Sequence, residues 1–236
     1  MENKFIKRTA ILIGEDGLEK LKNSNILAIG VGGVGSFCVE ALIRAGIGNI
    51  TIVDYAKVCE SDFNRQLPGL NSKLGKDKVE VVKERLLDIN KNLNIKAINT
   101  IFNKDTSKEI INDDYDYVVD AIDMVSSKIH LIEECKKRNI PIISSMGMGN
   151  KLDPTKIEVS DISKTHTCPL AKVVRKELRD RNIDHLKVVF SSEHPLELKE
   201  KISDGHRIIP GSISFMSSSG GLIMASEVVR DLLNNK

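Results

Sequence analysis

The run Gly30-Val31-Gly32-Gly33-Val34-Gly35 constrains the fold more than any other stretch of the chain. An apolar run, Ile26-Leu27-Ala28-Ile29, leads into it. A segment with helical apolar spacing (Val34, Phe37, Cys38, Ala41, Leu42) leads away, giving a helix from Gly33 to about Ala45. A second apolar run, Ile50-Thr51-Ile52-Val53, then stops on Asp54. Strand, glycine turn, helix, strand and acid in that order form the fingerprint of a nucleotide-binding βαβ unit. Glycine allows a tight turn and a close backbone approach to phosphate, and the helix N-terminus behind it offers free N–H groups and the positive end of a dipole. Asp54 falls roughly 20 residues past the turn, where a carboxylate accepts bonds from a ribose hydroxyl. An ordinary glycine-rich turn is the competing reading, and the flanking runs and the terminal acid weigh against it.

The rest of the chain continues the alternation. The spacing predicts a short helix over Asp16–Asn23, a polar loop over Glu60–Pro68, and a helix over Lys76–Asn92 with Val79, Val82 and Leu86 on one side. It further predicts a strand over Ile95–Phe102, a strand over Asp116–Ile122, a helix over Ser126–Asn139 and a strand over Ile140–Ser145. After Gly149 the rhythm changes. An antiparallel strand over Lys156–Ile162, a basic helix over Pro169–Arg181 and a strand over Leu186–Ser191 are expected. A mobile loop over Glu193–Pro210 and a last helix over Met216–Leu233 follow. Strands alternating with helices give an α/β, Rossmann-like, mostly parallel sheet with helices on both faces. The C-terminal part is expected to add antiparallel strands. One domain spans residues 1–236, with a nucleotide half to about residue 150 and a substrate-facing half over about 151–236.

Composition narrows the class. The 236 residues are 41% hydrophobic and 29% charged, which suits a globular chain. No run of about 18 apolar residues suggests a membrane span, and the start lacks an apolar signal core. The net charge of +2 neither requires nor excludes a nucleic-acid partner. Cys38, Cys59, Cys135 and Cys168 are widely spaced with no C-x-x-C pair, which argues against structural zinc. A cytoplasmic protein with reduced thiols is the simplest reading.

Charged residues cluster at the expected strand ends. Asn64-Arg65-Gln66 lies in the loop after the second strand, where Arg65 can neutralise phosphate oxygens. Lys78, after Gly75-Lys76-Asp77, sits in the first turn of a helix, where the dipole disfavours a cation unless an anion is nearby. Asp120-Ala121-Ile122-Asp123 ends the fourth strand, and a carboxylate there can hold magnesium alongside phosphates, Asp123 being better placed. Each has a plainer reading: a solvated arginine, a solvated lysine, a helix N-cap. Lys172, Arg175, Lys176 and Arg179 share one helical face that suits phosphates or simply solvent. His194, His206 and Arg207 fall in the loop that follows, which could order on a nucleic acid. Cys168 precedes the basic helix, where a helix N-terminus can activate a thiol, although free cysteines are more often buried packing residues.

Taken in order, G-V-G-G-V-G, Asp54, N-R-Q at 64–66, G-K-D-K at 75–78 and D-A-I-D at 120–123 resemble the ubiquitin-activating-enzyme superfamily, which includes the bacterial adenylyltransferases of thiamine and molybdopterin synthesis. The resemblance implies ATP rather than NAD, and attack of a carboxylate on the α-phosphate to give an acyl-adenylate and pyrophosphate. It implies that Gly30, Gly32, Gly33 and Gly35 shape the phosphate turn and that Asp54 holds the ribose. Arg65 and Lys78 would meet the phosphates, Asp123 would bind Mg2+, and Asn64 and Gln66 would line the site. Arg8, in Arg8-Thr9-Ala10-Ile11-Leu12, matches an N-terminal R-x-x-x-L segment whose arginine enters the neighbouring subunit's ATP site, so a homodimer is implied.

Within that superfamily, Asp161-Ile162-Ser163-Lys164-Thr165, Cys168-Pro169-Leu170-Ala171, Val189-Phe190-Ser191-Ser192-Glu193 and Gly211-Ser212-Ile213-Ser214-Phe215 resemble the tRNA threonylcarbamoyladenosine dehydratases. Cys168 stands where some members have aspartate, and Val188 where some have cysteine. The resemblance implies that ATP activates the threonyl carboxylate of the modified adenosine beside the anticodon. The carbamoyl group then closes a ring, which needs no carrier protein because the nucleophile is tethered. It implies tRNA as partner, for which the helical face of Lys172, Arg175, Lys176 and Arg179, with Arg207 in the later loop, is the candidate surface. Two alternatives remain. One is an adenylyltransferase for the C-terminal carboxylate of a ubiquitin-like sulfur carrier, with a sulfur-transfer protein as partner. The other is an NAD-binding oxidoreductase or non-catalytic nucleotide-binding scaffold, which would not need the charges of Arg65, Lys78 and Asp123.

Overall fold

The computed structural model describes residues 4–203, 205 and 208–234, so His206 and Arg207 lie outside the described residues. The chain runs through α1 (Lys7–Asn23), β1 (Asn25–Ile29), α2 (Gly35–Ala45), β2 (Asn49–Asp54), α3 (Lys78–Ile89) and β3 (Asn94–Asn99). It continues through α4 (Ser107–Ile110), β4 (Tyr117–Asp120), α5 (Val125–Arg138), β5 (Ile142–Ser145), β6 (Ile157–Asp161), α6 (Pro169–Arg179), β7 (Lys187–Ser191) and α7 (Ser214–Asn234).

The strands form one sheet in the order β3-β2-β1-β4-β5-β7-β6. All pairings are parallel except β6 with β7. Because both faces are covered, the central strands are buried along nearly their whole length rather than at alternate positions. In β1, Ile26 and Ala28 face a core shared with α2, α3 and α7, while Leu27 and Ile29 face a second core shared with α5 and α6. Each fully buried Ile or Leu contributes about 1.5–3 kcal/mol relative to exposure, so this central strand is a main anchor of the fold.

The structure corrects several expectations. The first helix starts at Lys7 rather than Asp16, and it is broken at Gly14, whose φ of 76° and ψ of 169° are not helical. Its first half has no inward apolar stripe to read: Ile11 and Leu12 are 78% and 84% exposed. The helix after the glycine turn begins at Gly35, not Gly33, because Gly30–Val34 are consumed by the turn. The C-terminal part adds the expected antiparallel pair, β6 with β7, and β7 also pairs in parallel with β5. That pairing also carries the sheet across residue 150 without interruption. The fourth strand ends at Asp120, so Asp123 lies in the following loop, and the N-cap of α5 is Met124. Between Glu193 and Pro210 the described residues hold no helix or strand, apart from a bridge between Ser203 and Ile208. Among the described residues, no helix is long and apolar enough to cross a membrane.

Candidate active site

The connections from β1 and β4 leave in opposite directions, towards β2 on one side and β5 on the other. Open α/β sheets bind ligands in the crevice at such a switch point. A cavity of about 600 Å³ opens there, bounded by the glycine turn after β1, the end of β2, the loop after β4 and the segment after β5.

The turn is built by contacts that exclude larger residues. Gly30 has φ +89°, and a Cβ there would lie 2.7 Å from the Ala121 carbonyl oxygen. A Cβ on Gly35 would lie 1.8 Å from the Gly30 carbonyl oxygen, so α2 can start only with glycine at this point. Gly32 and Gly33 are on the cavity wall. From the other side, α7 crosses α2 so closely that a Cβ on Gly221 would meet the Val34 carbonyl oxygen at 2.3 Å. Ser217, one turn earlier on α7, lines the cavity beside Gly33.

Asp54, at the end of β2, braces the turn as well as facing the cavity. Its Oδ2 accepts from Val31 N at 2.9 Å and its Oδ1 from Ala56 N at 2.9 Å. Each carboxylate oxygen keeps a further lone pair for a hydroxyl donor in the cavity.

Arg65 and Lys78 both line the cavity. Arg65 is steadied through one nitrogen, Nη1, which donates to the Ser61 carbonyl oxygen at 2.6 Å and to Asn64 Oδ1 at 2.9 Å. The other guanidinium edge has no acceptor among the described residues. Lys78 is buried at the start of α3, with Nζ 3.4 Å from Asp62 Oδ2. Asp62 therefore compensates the unfavourable dipole that the sequence position implied. The acid also accepts from Cys59 N at 3.1 Å and Gln66 Nε2 at 2.6 Å. Gln66 lines the cavity, and its Oε1 is buried without a partner, beside Gly32. Such an orphan acceptor is costly unless a ligand donor reaches it. Asn64 does not reach the cavity wall; its Nδ2 donates to the Ser212 carbonyl oxygen at 2.9 Å, tying the Arg65 loop to the approach to α7.

After β4 the two aspartates separate. Asp123 is exposed at the cavity edge. Asp120 is fully buried and bonded to Lys128 Nζ at 2.8 Å and Ser144 Oγ at 2.6 Å. Lys128 also donates to Ser144 Oγ at 3.2 Å and to the Ser145 carbonyl oxygen at 3.0 Å. All three ammonium hydrogens are thus used to bind the ends of β4 and β5 to α5.

The far wall comes from residues after β5. Cys168 is buried, caps α6 ahead of Pro169, and points its Sγ towards the Gly147 carbonyl oxygen at 4.0 Å. Lys151, unanticipated from the sequence, is buried on the same wall, with Nζ donating to the Ser191 carbonyl oxygen at 2.8 Å. Burial holds its ammonium below the usual lysine range, while Cys168 and Glu193 pull the other way. Glu193 is itself buried, accepting from the Leu152 and Asp153 amides at 2.9–3.1 Å.

The basic helix divides. Ala171, Val174 and Leu178 are buried, while Lys172, Lys176 and Arg179 are exposed. Arg175 leaves that exposed set: its Nη1 donates to the Thr165 carbonyl oxygen at 2.7 Å and to Thr165 Oγ1 at 2.5 Å. Arg8 is exposed on the first half of α1 and does not reach the cavity of its own chain.

This arrangement has close counterparts. The ThiF family model matches residues 6–236. A tRNA threonylcarbamoyladenosine dehydratase of Bacillus subtilis is 45% identical, over 97% of this chain and 94% of the relative. One of Haemophilus influenzae is 36% identical, over 94% of this chain and 90% of the relative. The crystal structure of the Escherichia coli tRNA N6-threonylcarbamoyladenosine dehydratase in complex with AMP superimposes with a TM-score of 0.89 at 33% identity, covering 96% of this chain and 92% of that one. The same enzyme in complex with ATP gives 0.87 at 32% identity. With the glycine turn, the charged cavity and the sheet order all in place along the matched length, the chain belongs to the ThiF family.

Proposed function

We propose that this protein is an ATP-dependent tRNA threonylcarbamoyladenosine dehydratase. One observation carries the reading: a single cavity joins the glycine turn, two cations and acids to a second wall formed by residues after β5, including Lys151, Cys168 and Leu170. Similarity to the dehydratases over nearly the whole chain supports the choice of substrate. The threonyl carboxylate of the tRNA attacks the α-phosphate of ATP, giving an acyl-adenylate and pyrophosphate. The carbamoyl group then attacks the activated carbon, AMP leaves, and the nucleoside has lost one water overall. Gly30, Gly32, Gly33 and Gly35 shape the turn that meets the phosphates, and Asp54 takes the ribose. Arg65 and Lys78 stabilise the charge that builds on the α-phosphate, in a site where preorganised cations are effective. Gln66 lines the nucleotide side of the cavity.

The residues present also fit Mg2+. Among the described residues there is no cluster of three or more metal-ligating side chains. Mg2+ needs none: one or two carboxylates plus substrate phosphates suffice, and Asp123 supplies a carboxylate at the cavity edge. When bound, the ion would neutralise phosphate charge. Cys168 needs no covalent role, since the ring-closing nucleophile is already tethered to the substrate.

The tRNA meets the exposed face of α6 through Lys172, Lys176 and Arg179, with Arg175 shaping the helix rather than binding; Arg207 belongs to the same expectation. Replacing Lys172, Lys176 and Arg179 with glutamate would weaken tRNA binding and flatten its salt dependence; an unchanged salt slope would remove this surface. A homodimer accounts for the outward Ile11 and Leu12 on α1 and brings Arg8 to the partner's cavity. A cytoplasmic location follows from tRNA as substrate, and fractionation of cells carrying a tagged chain checks it. A sulfur-transfer protein is not required by this chemistry.

Nucleoside mass spectrometry after incubation with ATP, Mg2+ and tRNA bearing threonylcarbamoyladenosine tests the reading. ATP-dependent loss of one water supports it. An unchanged nucleoside, with AMP released only when a small carrier protein is added, would replace it with the sulfur-carrier alternative.

A further inference from the structure

Asp62 is not on the cavity wall, yet it holds residues that are. It is buried in the turn between β2 and α3, behind Lys78 and Gln66. Its carbonyl oxygen accepts from the Arg65 and Gln66 amides at 3.1 and 2.9 Å. Its carboxylate accepts from Cys59 N at 3.1 Å, Cys59 Sγ at 3.3 Å and Gln66 Nε2 at 2.6 Å. Lys78 is tied to it more loosely. Its Nζ stands 3.4 Å from Oδ2 in an ion pair with both side chains buried, but makes no aligned hydrogen bond among the described residues. Lys128 shows the contrast: its ammonium donates three hydrogen bonds, one of them to its acid at 2.8 Å. Lys78 therefore faces the cavity with its charge compensated and its three donors free. An ammonium in that state can leave its acid with little loss of hydrogen bonding. Asp62 can be left behind, because its other three donors stay on it.

We propose that Asp62 is a positioning residue that holds Lys78 ready in the empty site and yields it to the nucleotide, so that ATP binding exchanges one anion for another at Lys78. The proposal rests on the ATP-dependent reading above, in which Lys78 meets the phosphates. The ammonium passes from the carboxylate to phosphate oxygens, and no covalent bond changes. Because the ion pair stabilises the empty site alone, it opposes ATP binding by linkage. Once Lys78 has moved, a carboxylate without its cation stands behind the phosphates and opposes them further. Asp62 thus sets ATP affinity from behind the wall. The same exchange run backwards eases the departure of pyrophosphate, since Lys78 regains its acid.

Asp62→Asn removes the charge and keeps the shape. Isothermal titration with ATP and Mg2+, without tRNA, is expected to show the variant binding ATP about 10-fold more tightly than the parent, or better. The empty variant should melt lower than the parent, because Lys78 has lost its acid, and ATP should raise its melting temperature by more. A merely structural residue would weaken ATP binding when replaced. Cys59 supplies a second measurement that needs no variant and does not depend on how Gln66 turns its amide in one. Its thiol is exposed and lies 3.3 Å from Asp62 Oδ2. When Lys78 leaves, the bare carboxylate disfavours the reactive thiolate beside it. Iodoacetamide should therefore label Cys59 in the unaltered protein about threefold more slowly with ATP bound, or slower still, and this effect of ATP should vanish in Asp62→Asn. Unchanged or weaker ATP binding by Asp62→Asn would overturn the proposal. So would labelling of Cys59 in the unaltered protein that is indifferent to ATP, or that ATP slows equally in the variant. If the unaltered protein binds no ATP, the ATP-dependent reading itself fails, and that outcome is visible before any variant is made.

Discussion

Lys128→Met is the sharpest test of how the cavity is held open. The change keeps most of the length and the apolar stem of the side chain but removes a charge that is fully buried against Asp120. It also deletes the hydrogen bonds to Asp120, Ser144 and Ser145. Asp120 would keep only Ser144 Oγ and the Ile122 amide as donors around a buried carboxylate. Removing one partner of a buried pair costs about 3–5 kcal/mol, chiefly through the charge left behind. For a chain of this size, at about 2–4 °C per kcal/mol, the melting temperature should fall by roughly 6–20 °C. Asp120→Asn in the same background removes the stranded charge, so the double variant should melt higher than the sum of the two single losses predicts. Differential scanning calorimetry of the parent, both singles and the double gives the coupling directly. A Lys128→Met protein that melts within about 2 °C of the parent, or strictly additive losses, would refute the account of Lys128 as the clamp between β4, β5 and α5.

Two further outcomes are expected. Arg65→Ala and Asp123→Ala should each abolish AMP formation with the circular dichroism spectrum unchanged, and mixing refolded Arg65→Ala with Arg8→Ala subunits should restore part of it; no recovery on mixing would count against shared sites. Titration of the native protein with a thiol reagent at pH 8 should modify Cys59 rapidly and the other three slowly, since Cys38, Cys135 and Cys168 are buried and burial pushes the Cys135 thiol up to about 12; fast reaction of a second thiol would contradict the packing around α2, α5 or α6.

What the sequence revealed depended on whether a residue's role is local. The glycine turn and the strand on either side were legible because their constraint is steric and lies within a few residues: Gly35 is fixed by the carbonyl of Gly30. Arg65, Lys78 and Asp123 could be placed on the cavity because they follow strand ends. Asp62 was not legible, since its meaning comes from Lys78 on another element. Asn64 shares a motif with Arg65 yet contacts Ser212, far along the chain, so motif membership alone overstated its nearness to the cavity. Lys128 left a trace that could have been followed: it falls in the helical stripe with Leu131, Ile132 and Cys135, and a lysine on a buried stripe demands an acid. Lys151 left none, because only the pairing of β7 with β5 brings Ser191 to it.

The close crossing of α7 over α2 also sets an order of events during synthesis. The residues of the glycine turn emerge from the ribosome early, but the helix that packs on them, with Gly221 against Val34 and Ser217 beside Gly33, comes from Ser214–Asn234. A nascent chain that has not yet extended past Ser214 carries the whole nucleotide motif with one flank of its helix bare. It would bind ATP poorly and expose apolar surface to chaperones, so nucleotide binding by stalled chains of increasing length should switch on abruptly with the last helix rather than grow as each strand is added.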